Sequence, residues 1–235
     1  MADDHPLDNA VWAALTNAQA DLAEVVGRAR RYPPDVSVWA GVDRFDEAAW
    51  ADLEALVGPS TGLALFRAAV PDPPPGWVVH HRGASHQMTV SAAALEPSFA
   101  SIDGPVLRRL GPDDVGEVLA LVELTRPGPF AERTMEMGTY WGHLDGHDRL
   151  LALAGERMHL EGYTEVSAVC THPDARGRGL AAALTRQVAL GILERGETPF
   201  LHVAAGNDAA RRVYERLGFR TRRELEFAWV ESPPA

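Results

Sequence analysis

The spacing of apolar positions changes period several times along this chain, and the changes sort it into elements. Residues 163–171, YTEVSAVCT, form an apolar, β-branched run that predicts a buried central strand. A short turn over residues 172–175 follows, then a glycine-punctuated entry into an alanine- and leucine-rich helix that runs toward Gly191. Ahead of the central strand, residues 140–144 and 150–158 read as strands, with turns at Asp145–Gly146 and Glu161–Gly162. Three successive antiparallel strands would therefore deliver the chain to residues 163–171. Behind it, residues 199–219 read as a strand and a helix ending at Gly218 and Phe219, and residues 227–230 as a further strand.

The N-terminal part is also mixed. A helix is predicted over residues 9–30, capped by Asp8 or Asn9, with Val11, Trp12, Leu15, Leu22, Val25 and Val26 on one face. Pro33 and Pro34 stop it. Residues 36–42 read as a strand, and Asp46 opens a helix through Val57 whose buried side carries Trp50, Leu53, Leu56 and Val57. Short strands are expected over residues 63–66, 77–81 and 87–90, with a proline-rich loop over 71–75. Residues 96–104 turn loop-like and set an expected boundary. Beyond it come a strand over 106–110 and a helix capped by Asp113 and Asp114, with Val115, Val118, Leu119 and Val122 on its apolar side. The segment 125–130, TRPGPF, breaks the helical pattern, and a short helix is expected over 132–137.

This order predicts an α/β fold with a mixed sheet in two domains: an N-terminal accessory domain over residues 1–100 and a second domain over 105–231. At 235 residues and 46% hydrophobic, the chain can bury a substantial core. Its net charge of -11 argues against nucleic acid as a partner, because duplex binding needs a basic surface. The absence of a long apolar run or a secretory opening predicts a cytoplasmic protein without membrane association. The one cysteine, Cys170, excludes an internal disulfide, and no Cys/His spacing reads as a metal site. The histidines at 80, 81 and 86 cluster on a predicted strand and its turn and are given no role.

The chemistry concentrates after the central strand. In Arg176–Gly177–Arg178–Gly179–Leu180–Ala181 the glycines let the backbone turn tightly and approach a ligand, while the following helix points unpaired N–H groups back at the loop. Together with the two guanidinium groups this predicts a phosphate or pyrophosphate site. Downstream, Asn207, Ala210, Tyr214, Glu215, Gly218 and Phe219 recur at fixed spacing.

Together the two stretches resemble the GNAT superfamily of N-acetyltransferases. Its acyl-CoA motif reads Arg/Gln-x-x-Gly-x-Gly/Ala after a central strand, then a strand and an Asn-x-x-Ala…Tyr-Glu-x-x-Gly-Phe helix. Arg176, Gly179 and Ala181 match the first part, with alanine in place of the second glycine. The resemblance covers residues 105–231; an N-terminal region before such a domain looks like the glycine N-acyltransferase-like branch. It implies a GNAT fold, preceded by a smaller domain that is either a degenerate copy of that fold or an accessory unit. It implies acetyl-CoA as acyl donor, with no metal, and direct transfer to a primary amine of a small molecule or peptide. It also implies that the backbone of Val169, Cys170 and Thr171 pairs with the pantetheine arm. A homodimer is a further expectation, and a non-catalytic acyl-CoA-binding module is the alternative reading.

Acyl transfer from a thioester to an amine needs a deprotonated amine and a proton for the leaving thiolate. Glu165, on the central strand where the resembled superfamily often places its base, is expected to act directly or through water. Its apolar strand would raise its pKa. Strict alternation puts Glu165, Ser167 and Val169 on one face and Val166, Ala168 and Cys170 on the other. Tyr214, two helical turns after Asn207, is the expected general acid. Asn207 would bond the pantetheine arm or cap the helix, and His202 is a second acid/base candidate. Cys170 reads as a small core residue and not a nucleophile. The acceptor pocket is expected from residues 125–130, 141–143 and 227–230, with the N-terminal region as a wall.

Overall fold

The computed structural model describes residues 5–95 and 106–235, so the boundary expected over 96–104 lies outside the described residues. Two sheets and five α-helices organise them. Near the N-terminus, α1 (Ala10–Thr16) is followed by the small antiparallel sheet of β1 (Glu24–Val26), β2 (Ala29–Arg31) and β3 (Ala40–Val42), then by α2 (Glu47–Val57). The helix expected over residues 9–30 therefore ends early. Thr16 and Asn17 turn their side chains back onto the carbonyls of Trp12 and Ala13 at 2.6 and 3.0 Å. Gly27, at φ 50°, then closes a hairpin in which Val26 faces Ala29. The strand expected over 36–42 shortens to β3, because residues 33–36 turn through bonds from Val36 and Ser37 to the Pro33 carbonyl.

The start of α2 follows the sequence: the Asp46 carboxylate accepts from the Ala49 N–H at 3.0 Å, and Trp50, Leu53 and Val57 are buried. After it come β4 (Gly62–Arg67) and β5 (Val78–Thr89), the latter one long strand where two short ones were expected. The remaining elements are β6 (Arg108–Arg109), α3 (Val115–Thr125), β7 (Tyr140–Leu144), β8 (Leu150–Leu160), β9 (Tyr163–Thr171), α4 (Leu180–Glu194), β10 (Thr198–Ala204), α5 (Asp208–Arg216) and β11 (Arg220–Glu231).

The large sheet has the order β4-β11-β5-β10-β9-β8-β7-β6. All pairs along it are antiparallel except β9 with β10. Because β5 lies between β10 and β11, strands from both sides of the expected division share one sheet. Residues 62–89 complete the sheet of the C-terminal segment, pairing with β10 and β11. A physical reason is plain: β10 and β11 are joined through α5 and do not pair, leaving inner edges that β5 satisfies.

Side chains of α4 and α5 pack over Ala152, Ala154, Val166, Leu201 and Val203. On alternate positions of the same strands, α3 packs over Leu153 and Cys170 with Tyr140. The sheet is thus covered on both faces around β8 and β9.

Two irregularities open it. The parallel ladder of β9 and β10 contains only Tyr163↔Thr198, Thr164↔Pro199 and Glu165↔Phe200, after which the strands separate. Just beyond, Ala168 has φ 55°, and the register against β8 shifts between Gly155↔Ser167 and Leu153↔Cys170. This is a β-bulge, which bends the strand away from its neighbour.

Candidate active site

The separating strands β9 and β10 frame a cavity of about 500 Å³. Residues 166–171 of β9 line one wall, and His202, Val203 and Ala204 of β10 line the other. The loop over 125–129 covers it; Trp39, Phe66 and Phe227 close one end, and Arg176, Ala181 and Asn207 lie at the other. The expected pocket walls are thus found in residues 125–129, in Phe227 and in the N-terminal region. Residues 141–143 do not line it, because β7 lies two strands away from β9.

At the loop end, Gly177 and Gly179 have φ 77° and 75°. A Cβ at either would meet nothing within 4 Å, so glycine is required there by the left-handed backbone and not by crowding. Gly179 caps the 15-residue α4 without any side-chain bond to its first-turn N–H groups. Arg176 and Arg178 are both exposed; Arg178 Nη2 donates to the Asp174 carbonyl at 3.1 Å. The segment 169–171, from Val169 to Thr171, faces this end with Leu180 buried behind the loop. Asn207 Oδ1 accepts from the Ala210 N–H at 3.1 Å, so it caps α5 while remaining exposed at the cavity edge.

Tyr214 lies on the cavity wall, 8% exposed, its ring packed edge-on to Phe219. Burial, with a smaller push from Cys170, raises its phenol to about 12, so it carries its proton across the neutral range. Cys170 is buried among the residues under α3, and burial pushes its thiol up as well, which fits a packed core residue. The bulge at Ala168 breaks the alternation expected on β9. Val166 and Val169 pack toward α4 and α5, whereas Ala168 and Cys170 pack toward α3.

Glu165 differs most from expectation. It is 0% exposed and does not line the cavity. Its carboxylate accepts from Arg157 Nε and Nη2, both at 2.7 Å, and from His202 Nδ1 at 2.7 Å. Burial alone would raise its pKa, but the charge and hydrogen bonds of Arg157, with His202, outweigh burial and hold it at about 2. The raised pKa expected from an apolar strand is therefore reversed.

His202 does line the cavity. Gln87 Oε1 accepts from Arg222 at 2.8 Å, so Gln87 Nε2 is the donor; it bonds the Leu7 carbonyl at 2.8 Å and His202 Nε2 at 3.0 Å. The imidazole proton accordingly sits on Nδ1, toward Glu165. Burial lowers the His202 pKa more than Glu165 raises it, leaving the ring neutral. Arg157, Gln87 and Trp39 were not singled out in the sequence. Arg157 had one legible signal, a charged pair with Glu156 after the apolar run of residues 150–154 on the same predicted strand.

Among the described residues, no group of three or more His, Cys, Asp or Glu could hold a metal ion, and no helix is long and apolar enough to cross a membrane.

Comparison with known proteins adds to this geometry. A family model described as FR47-like protein matches residues 140–230. A solved structure from Novosphingobium aromaticivorans, assigned to the GNAT family, aligns with a TM-score of 0.87 at 40% identity over 97% of this chain and 99% of that one. A GCN5-related N-acetyltransferase from Kribbella flavida shares the fold, with a TM-score of 0.63 at 19% identity over 95% of this chain and 96% of its own. Among curated proteins, a mycothiol acetyltransferase of Mycobacteroides abscessus is 32% identical over 57% of this chain and 51% of its own length. One from Mycobacterium avium is 40% identical over 39% of this chain and 32% of its own. The chain thus spans about half or less of the curated relatives it matches.

Proposed function

The chain belongs to the GNAT family of acetyltransferases, and from that premise we propose that it transfers an acetyl group from acetyl-CoA directly to a primary amine of a small molecule or peptide. One observation carries the proposal. The cavity between β9 and β10 joins an open helix N-terminus at one end to a buried phenol and a neutral imidazole on its walls.

In this reading the first-turn N–H groups of α4, with Arg176 and Arg178, hold the pyrophosphate of the donor. The pantetheine arm lies along Val169, Cys170 and Thr171, on the edge of β9 where its ladder with β10 has ended, so that strand groups can bond it and polarise the thioester carbonyl. The amine attacks the carbonyl carbon; its C–N bond forms, the C–S bond breaks, and the amine gives up one proton. His202 receives that proton at Nε2, in place of the bond from Gln87. Tyr214 gives its proton to the departing sulfur, and solvent returns a proton from His202 to the phenolate. Glu165, ionised and turned away from the cavity, does not touch the amine; it holds the His202 tautomer and stabilises the imidazolium as it forms. That revised role replaces direct base catalysis by Glu165, for which a carboxylate at about 2 is poorly suited.

The curated relatives are named for mycothiol, and the acceptor proposed for this chain remains the broader class of primary amines. The test is thermal unfolding with and without acetyl-CoA, combined with thiol release on a panel of amines. Donor at about a hundred times its Kd should stabilise the native protein by roughly 2.7 kcal/mol. Arg176→Glu should abolish that shift, and His202→Gln should keep the shift while losing turnover. A His202→Gln enzyme with native turnover would refute the base assignment.

A further inference from the structure

At the end of the cavity away from the glycine loop, three rings enclose the space: Trp39 stands edge-on to Phe66 at 5.6 Å and to Phe227 at 5.7 Å between centroids. The guanidinium of Arg157 lies 5.3 Å over the Trp39 ring and also lines this end. Two donors here have no acceptor among the described residues. Arg157 commits Nε and Nη2 to Glu165 and leaves Nη1 without a bond, although the residue is 9% exposed. The indole N–H of Trp39 is buried and likewise unpartnered. The hydroxyls that line the cavity, those of Ser85, Thr125, Ser167 and Thr171, make no bond to either donor. His202 is bonded at both nitrogens, and Glu165 is sealed behind the guanidinium. Buried donors are normally paired, so an excess of them beside an open space points to an acceptor group supplied by a ligand.

We propose that the acyl acceptor carries a carboxylate, bound by Arg157 Nη1 and Trp39 Nε1, with its apolar side chain among Trp39, Phe66 and Phe227. The acceptor class is thus a small apolar or aromatic α-amino acid. The inference rests on the transferase reading above. It follows from three features acting together: an unbonded guanidinium nitrogen and an indole N–H suited to a carboxylate, an aromatic enclosure suited to an apolar side chain, and a cavity that opens to the donor. Guanidinium pairing with Glu165 does not compete, since it uses the other two nitrogen positions of the fork.

The experiment uses the full chain, acetyl-CoA and matched amine pairs that differ only in the carboxylate: phenylalanine against 2-phenylethylamine, and methionine against 3-(methylthio)propylamine, with the two amino-acid amides as a third arm. Thiol release is read on native protein and on Trp39→Phe, which keeps an aromatic ring while losing the N–H and part of the indole. We expect kcat/KM for at least one free acid to exceed that of its decarboxylated partner and its amide tenfold or more. Trp39→Phe should then raise KM for the acid severalfold more than it raises KM for the decarboxylated amine, which shares the ring contacts and lacks only the carboxylate. Decarboxylated amines or amides equal to or better than the acids would overturn the proposal and leave the transferase reading intact. Turnover of none of them would also overturn it, and a thermal shift with acetyl-CoA in the same samples decides whether the transferase reading falls too.

Discussion

Replacing Glu165 with glutamine keeps the volume of the side chain and removes the charge that three donors converge on. The magnitude can be worked in two ways. The carboxyl falls from an ordinary 4.5 to about 2 in the folded protein, and at about 1.4 kcal/mol per pH unit this is on the order of 3 kcal/mol. Independently, removing one partner of a buried ion pair typically costs about 3–5 kcal/mol, because the other charge is left uncompensated. Both apply without discount for solvent, since Glu165 is 0% exposed. Urea denaturation at pH 7 should therefore place Glu165→Gln about 3 kcal/mol below the native chain. The sign with pH follows from the direction of the shift. A carboxyl depressed on folding stabilises the protein fully above 4.5 and loses that contribution as pH falls through about 2. The gap between native and variant should accordingly narrow over that window. A gap below about 1 kcal/mol at pH 7, or one that fails to narrow on acidification, would refute the picture of a tight buried pair. A double variant, Arg157→Met with Glu165→Leu, should recover a good part of the loss.

Other substitutions test other parts. Tyr214→Phe should lower kcat by about a hundredfold while leaving the unfolding temperature nearly unchanged, because the ring keeps its place against Phe219 and only the proton donor is lost. Gly179→Val must adopt φ 75° and should cost roughly 1–3 kcal/mol in urea titrations, with a smaller acetyl-CoA shift. Asp46→Ala removes the cap of α2 and should lower the unfolding temperature without altering turnover. Cys170→Ala should retain thiol release, since no step uses the thiol.

The parts of the fold legible in the sequence are those set by local chemistry. Strands β7 and β9 begin and end where the apolar runs and the Gly162 turn place them, and α2 starts on its aspartate cap. Gly218 belonged to the motif for a reason only the structure gives: a Cβ there would come within 1.9 Å of the Ala94 carbonyl, and its φ is 98°. What escaped the sequence was set at a distance. An apolar spacing that suits a helix through residues 9–30 also suits a short helix and a hairpin, and Gly27 with the polar turn at Thr16 and Asn17 decides between them. The environment of Glu165 is made by β8 and β10, so its own strand gave no sign of a fixed negative charge. The bulge at Ala168 reversed the faces of the residues after it, which strict alternation cannot foresee.

The position of β5 also has consequences for how the molecule is made. A growing chain releases β5 from the ribosome long before β10 and β11, the two strands that flank it, have been synthesised. Until then both of its edges are open, and closing the sheet must draw together segments far apart in sequence, the slow kind of event in folding. Premature termination anywhere before β11 would leave β5 with an unsatisfied row of amides along one side and strip β4 of its partner, exposing chains prone to pair with one another. Quality control of this protein would thus fall on its nascent and truncated forms, at the strand that its C-terminal segment is the last to secure.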